Sequence, residues 1–171
     1  MRIEVDRIEE PGGKFAQAYE ADSLPLDDQD VRLTAPAEVR GRISRSGKEV
    51  ELRGHLDSRA EAPCSRCLKP VELPIHAEFA ERFVPAVSWR EEEQHELQEE
   101  DLNLAVFDGE AIEIDDLVRE EILLAIPAQV LCSDDCKGLC PDCGIDRNTG
   151  SCQCGELHRD ERWQKLKNLR F

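Results

Sequence analysis

The chain has 171 residues, enough for one domain with a modest core, and only 5% of them are aromatic, so that core must be aliphatic. The formal net charge is -16, from 38 acidic against 22 basic side chains. Such a chain is repelled by nucleic acid at long range and suits basic proteins as charged partners. No stretch approaches the ~20 apolar residues of a membrane span, and Met1-Arg2-Ile3-Glu4-Val5-Asp6 has neither the basic nor the apolar region of a signal peptide. A cytoplasmic location and no membrane partner are expected.

Ile3 and Val5 alternate with charged residues and predict a short strand, and Pro11-Gly12-Gly13 predicts a turn. Around Asp27, Asp28 and Asp30 the pattern is that of a loop. From residue 37 a period of two is plain. Val39, Gly41 and Ile43 alternate with Glu38, Arg40 and Arg42, Ser46-Gly47 marks a turn, and Val50, Leu52, Gly54 and Leu56 alternate with Glu49, Glu51, Arg53 and His55. After Cys64-Ser65-Arg66-Cys67 the alternation resumes in Val71, Leu73, Ile75, Ala77 and Phe79, so the first cysteine pair falls between two strands.

Charge is uneven along the chain. Residues 37–69 sum to +3, whereas residues 70–131 sum to -14. The local basic set Arg40, Arg42, Arg45, Lys48 and Arg53 offers a candidate RNA contact; equally, these are solvated strand positions interleaved with Glu49, Glu51, Asp57 and Glu61. Residues 91–101 hold seven acids and no base, which predicts a disordered loop. Within it Glu91, Glu92, Glu93, Glu99 and Glu100 are candidate contacts for a basic partner, or simply a solvated spacer.

Leu102, Leu104 and Val106 alternate, Asp108-Gly109 predicts a hairpin turn, and Ile112 and Ile114 follow. From Asp115 the period lengthens. Leu117, Val118, Ile122, Leu124 and Ala125 form a helical stripe, Asp115 and Asp116 sit where the helix dipole favours acids, and Pro127 ends it. A last short helix is expected from Asp160 to Leu169, with Trp163, Leu166 and Leu169 on one side.

The eight cysteines are Cys64, Cys67, Cys132, Cys136, Cys140, Cys143, Cys152 and Cys154. Without an export signal, close cysteine pairs hold metal or do redox work rather than form disulfides. Residues 132–155 have too few apolar side chains for a core of their own, so metal must take its place. Zinc suits four thiolates in a tetrahedron, and turns such as Cys140-Pro141-Asp142-Cys143-Gly144 put two sulfurs on one side of it. One or two ions are expected. The sequence-local division pairs Cys140 and Cys143 with Cys152 and Cys154, leaving Cys64, Cys67, Cys132 and Cys136; divisions that mix Cys132 or Cys136 with the other pairs stay open, as does iron-sulfur ligation.

Enzyme signatures are sparse. Cys64 and Cys67 have thioredoxin-like spacing, and Arg66 could lower a thiol pKa, but the flanks are strands and not the strand-helix setting that this chemistry uses. His55, His76, His95 and His158 show no metalloprotease spacing, and there is no phosphate-binding loop or nucleophile elbow. No catalytic residue and no small-molecule substrate are expected.

The string Glu121-Ile122-Leu123-Leu124-Ala125-Ile126-Pro127, then Leu131-Cys132-Ser133-Asp134-Asp135-Cys136-Lys137-Gly138-Leu139-Cys140-Pro141-Asp142-Cys143-Gly144, resembles the YceD family of bacteria and plastids. Cys64-Ser65-Arg66-Cys67-Leu68 and Asp160-Glu161-Arg162-Trp163 fit the same pattern, so the resemblance covers roughly residues 50–170. It implies a non-enzymatic factor for accumulation of large-subunit ribosomal RNA. The family includes members without the late cysteines, which implies that metal is a structural staple. Together the two lines of reasoning predict a ribosome-biogenesis factor that binds a basic large-subunit ribosomal protein or a pre-ribosomal particle, with direct rRNA contact and thiol oxidoreduction as alternatives. The expected fold is α+β: an antiparallel sheet of five or six strands, open or partly closed as a barrel, with one packed helix in a body of residues 1–131. A zinc segment and terminal helix over 132–171 are expected to pack on the same domain.

Overall fold

The computed structural model describes residues 1–26, 28–91 and 103–154. The fold is α+β, and its main sheet is mostly antiparallel. The elements run β1 (Arg2–Glu4), β2 (Gly12–Tyr19), β3 (Arg32–Leu33), β4 (Ala37–Ser46), β5 (Glu49–Pro63), β6 (Pro70–Pro85), α1 (Ala86–Glu91), β7 (Leu104–Phe107), β8 (Ala111–Glu113) and α2 (Ile114–Ala125), with single 3-10 turns at Val5–Arg7 and Ala21–Ser23. Six strands form the main sheet in the order β2-β4-β5-β6-β7, with β3 paired to β5; β1 and β8 make a separate two-stranded ribbon. The path β2 to β7 is open, so the barrel alternative is not what the chain adopts.

The alternation read from residues 39–56 is the alternation of burial. Val39, Ile43, Leu52 and Leu56 are buried, while Glu38, Arg40, Arg42, Arg53 and His55 face out. The β4–β5 hairpin closes through Gly47 and Lys48, with Ser46 opposite Glu49. Gly47 takes φ 63°, the left-handed conformation that such a two-residue turn needs and glycine adopts at no steric cost.

Two strand expectations are corrected. The Pro11-Gly12-Gly13 turn is the entry to β2, an eight-residue strand paired antiparallel to β4 along its whole length. The hairpin expected across Asp108-Gly109 does not form. The turn is real, since the Asp108 carboxylate accepts from the amides of Glu110 and Ala111 at 2.9 and 3.3 Å. But β7 runs parallel beside β6, and β8 pairs with β1. Turn chemistry reverses the chain locally; buried Phe107 and Ile112 then find different partners.

Helix α2 buries Ile114, Leu117, Val118 and Ile122, a stripe of i, i+3, i+4 and i+8. These join Leu52, Leu56, Ile75 and Ile112 in one aliphatic core. Each such side chain contributes about 1.5–3 kcal/mol on burial. Leu124, expected on the stripe, is instead 78% exposed. Asp115 and Asp116 occupy the first turn, and Asp115 accepts the Tyr19 hydroxyl at 2.6 Å. Ile126 is extended at φ -75°, ψ 124°, as the residue before Pro127 must be, and there the helix stops. The terminal helix expected over 160–169 lies outside the described residues.

The chain divides into two compact units. The first is Met1–Ala62 with Glu72–Ala128; the second is Pro63–Val71 with the chain from Gln129 onward. The Cys64–Cys67 turn falls in the second unit with the late cysteines.

Candidate metal centre

The described residues of the second unit have almost no apolar core. Its buried cluster is Cys64, Cys67 and Cys136, with only Val71, Leu131 and Leu139 packed against it. Eight cysteines are free, and their sulfurs gather in two sets: Cys64, Cys67, Cys132 and Cys136, and Cys140, Cys143, Cys152 and Cys154. Within each set all sulfurs lie within 4.8 Å of one another. This is the sequence-local division. Among the described residues no histidine or carboxylate joins either set.

The first set is built on backbone hydrogen bonds. The Leu68 amide donates to the Cys64 carbonyl at 2.9 Å, closing the Cys64–Cys67 turn. Leu68 follows with φ 60°, a left-handed conformation that is costly for leucine. The second set repeats this geometry: Gly144 donates to the Cys140 carbonyl at 2.9 Å and takes φ 73°. Here glycine meets the demand without strain.

Side chains lock the first turn onto the later segment. Ser65 donates its amide to Val130 at 2.7 Å and accepts the Val130 amide on its hydroxyl at 3.1 Å. The Arg66 guanidinium donates to the carbonyls of Cys136 at 2.8 Å and Asp134 at 3.3 Å, and Leu139 donates to the Arg66 carbonyl at 2.9 Å. Lys69 pairs with Asp146 at 2.7 Å. Gly138, at φ 70°, lies so close that a Cβ would stand 2.8 Å from the Arg66 carbonyl oxygen.

The sulfurs are also solvated by protein donors. The Cys132 amide points at the Cys64 sulfur at 3.5 Å, the Asn148 side-chain amide at the Cys136 sulfur at 3.5 Å, and the Arg147 guanidinium at the Cys140 sulfur at 3.8 Å. Burial works to raise the Cys64 pKa, but the amides of Arg66, Cys132 and Cys67 outweigh it and hold the thiol at about 6. The amides of Cys143 and Asp142 bring Cys140 to about 6. Their neighbours go the other way. Cys132 is pushed up to about 12, chiefly by the sulfur of Cys67, and Cys154 to about 12, chiefly by that of Cys143. Four sulfurs this close cannot all carry charge without a cation among them.

The geometry fits such a cation. A tetrahedron of sulfurs about 2.3 Å from a central zinc has edges of about 3.8 Å. The Cys64–Cys136 and Cys67–Cys132 separations are 3.8 and 3.6 Å. Soft all-sulfur sets of this shape suit zinc or iron, and they are closed, with no ligand position left for substrate. The Arg66 guanidinium engages carbonyls, and it is the Arg66 backbone amide that helps lower the Cys64 pKa. Asp146 and Asn148 were not among the residues singled out from sequence; no local pattern announces their partners.

The other candidate residues fall elsewhere. Arg40, Arg42 and Arg53 lie on the outer face of β4 and β5. Arg45 does not join them: its guanidinium donates to the carbonyls of Val5 at 2.8 Å and Gly47 at 2.9 Å. Lys48 is exposed in the hairpin turn. Glu91 ends α1, and Glu92, Glu93, Glu99 and Glu100 lie outside the described residues. No helix among the described residues is long and apolar enough to cross a membrane.

A mostly antiparallel sheet with one packed helix, joined in the same chain to a cysteine-rich unit with two sets of four sulfurs that could each hold a metal ion, defines a cysteine-rich protein of the α+β class. Residues 52–170, which include all eight cysteines, match the family described as large ribosomal RNA subunit accumulation protein YceD, and the chain belongs to that family. It is 31% identical over 157 residues to uncharacterized protein YlbN of Bacillus subtilis, covering 91% of this chain and 87% of that one. It is 29% identical to uncharacterized protein Mb2951c of Mycobacterium bovis, over 96% of this chain and 72% of that one. A shorter stretch of 59 residues is 36% identical to the chloroplastic large ribosomal RNA subunit accumulation protein YCED homolog 1 of Arabidopsis thaliana, covering 34% of this chain and 18% of that one. No solved structure matches.

Proposed function

We propose that this protein is a non-enzymatic ribosome-biogenesis factor that supports accumulation of large-subunit rRNA in the cytoplasm, and that its eight cysteines hold two structural zinc ions. The observation that carries this reading is the family match, which spans both cysteine sets and most of the sheet. The role of zinc is to replace a core that the second unit lacks. Its ligands are Cys64, Cys67, Cys132 and Cys136 in one site and Cys140, Cys143, Cys152 and Cys154 in the other. Neither site takes part in a reaction.

The partner is a basic large-subunit ribosomal protein or the pre-ribosomal particle that contains it. A net charge of -16, concentrated in residues 70–131, supports this. Among the described residues Glu81 and Glu121 lie close to other acids of this segment. Burial first, then like charge, pushes both carboxyls upward; the like charge is that of Glu121 and then Glu120 for Glu81, and that of Glu120 for Glu121. A cationic partner seated near them relieves that repulsion. Glu91, Glu92, Glu93, Glu99 and Glu100 would extend the anionic surface.

An affinity pull-down from lysate at moderate salt, with and without RNase, tests the reading. Large-subunit proteins retained after RNase support direct protein binding and name the client. Loss of everything with RNase points to whole assembly intermediates held through RNA. Recovery of no large-subunit component in either arm counts against the ribosomal role.

A further inference from the structure

The pairing of β2 with β4, invisible in the sequence, puts a cation in a place that changes the meaning of its neighbours. Lys14 stands opposite Arg42 across β2–β4, and Arg42 stands opposite Arg53 across β4–β5. The three form one row across three adjacent strands, each step about 4.8 Å. In the next row on the same face, Arg40 stands opposite His55. All five are exposed. They line a groove of about 1170 Å³ that also includes Gly41, Gly54 and two carboxylates, Glu51 and Glu78.

Like charges directly opposite each other weaken a sheet. Two oppositely charged pairs also lie on this face. Glu38 pairs with Arg40 at 2.7 Å, and Asp57 with His76 at 2.6 Å. Lys14 and Arg42 have no hydrogen-bond or ion-pair partner among the described residues. Arg53 is bound by Glu51 at 2.7 Å and Arg40 by Glu38, but these are exposed pairs and exchange readily for a stronger anion.

We infer that this cationic row, Lys14, Arg42 and Arg53 with Arg40 beside it, is a binding surface for the phosphate backbone of single-stranded RNA. The step between the two rows is two residues along a strand, about 6.7 Å, close to the repeat of phosphates along an extended strand. Guanidinium forks bind phosphate oxygens in pairs. The patch is short, bounded by Glu51 on one side and by Glu38 and Asp57 on the other. It therefore holds two or three phosphates of a flexible segment, and the surrounding negative charge repels a long duplex. The inference deepens the biogenesis reading by naming rRNA as a direct contact, and it rests on that reading for which RNA is met in the cell.

The test is binding of a labelled single-stranded large-subunit rRNA fragment to the full chain, by fluorescence anisotropy across a salt series. Three phosphate contacts predict a log–log salt slope of about -2. Lys14→Gln/Arg42→Gln/Arg53→Gln should weaken binding at least about tenfold at low salt and flatten the slope toward zero. Arg42→Gln alone, which removes a side chain with no protein partner, should weaken it about threefold without lowering the melting temperature. Arg2→Gln/Arg7→Gln/Arg32→Gln, cations placed elsewhere, should bind like the parent. Absence of binding at low salt overturns the inference. So does equal loss in both triple variants, or competition by polyglutamate as effective as by RNA, which would assign the groove to an acidic protein. Failure of RNA binding beside a normal requirement for rRNA accumulation would remove this surface and leave the biogenesis role standing; RNA binding without that requirement would do the reverse.

Discussion

Gly54 tests the packing of the main sheet with a single methyl group. A Cβ built there stands 2.6 Å from the Arg40 carbonyl oxygen, 2.7 Å from Cζ of Phe79 and 3.1 Å from the Gly41 Cα. Favourable carbon contacts begin near 3.5 Å, so Gly54→Ala must displace the neighbouring strand, the Phe79 ring, or both, by about 0.8 Å. The ring has little room, since Phe79 is 6% exposed within the core. Overpacking of this kind costs about 1–3 kcal/mol. Against that, alanine narrows the unfolded ensemble and returns about 0.4–1 kcal/mol. The net is a destabilisation of about 1.3 kcal/mol, which lowers the melting temperature by roughly 5 °C for a unit of this size. Gly13 is the control: it is also in a strand, but nothing lies within 4 Å of its built Cβ. Gly13→Ala should therefore stabilise by about 0.5 kcal/mol. Thermal and urea unfolding followed by far-ultraviolet circular dichroism, at fixed metal content, measures both. Gly54→Ala combined with Phe79→Leu should recover about 1 kcal/mol, because the ring supplies one of the two clashes. If Gly54→Ala melted at or above the parent temperature, the close approach of β4, β5 and Phe79 would be refuted.

Leu68→Gly should stabilise the protein by about 0.5–1 kcal/mol, because the left-handed cost for leucine exceeds the entropy of glycine and the side chain is 64% exposed; a loss of stability would show that Leu68 is held by packing. Glu81→Gln should raise the melting temperature slightly at neutral pH, within about 0.5 kcal/mol. The sign follows from the raised folded pKa of Glu81: its carboxyl stabilises the fold at low pH and loses that contribution as pH rises through the raised value, so the advantage of glutamine should vanish near pH 4 and below. An advantage that grew on acidification would reverse the assigned environment. Asn148→Ala removes the amide aimed at the Cys136 sulfur and should speed metal transfer to a chromogenic chelator about tenfold. An unchanged rate would mean that this amide does not support the site.

The parts of the fold legible in the sequence are those in which burial alternates with polarity. In β4 and β5 every buried aliphatic is flanked by a charge, so the strands declare themselves. Strand β2 carries Gly12, Lys14, Ala16 and Ala18 on its outer face, and that contrast is too weak to see. With β2 unread, Lys14 could not be joined to Arg42, and the basic set looked like a run along the chain when it is a row across the sheet. Arg45 shows the converse, a cation that sequence placed on the surface and that the fold spends on the Val5 carbonyl. Cysteine spacing gave the two sulfur sets because each turn fixes two ligands locally. The side-chain donors to the sulfurs come from Arg147 and Asn148, in a Gly- and Asp-rich loop with no periodicity to read.

The biogenesis role is tested most directly by depleting the protein from its own host and measuring large-subunit rRNA against small-subunit rRNA. The account predicts a fall in that ratio with a deficit of mature large subunits, both restored by re-expression of the parent chain. An unchanged ratio, with normal large subunits, would contradict it.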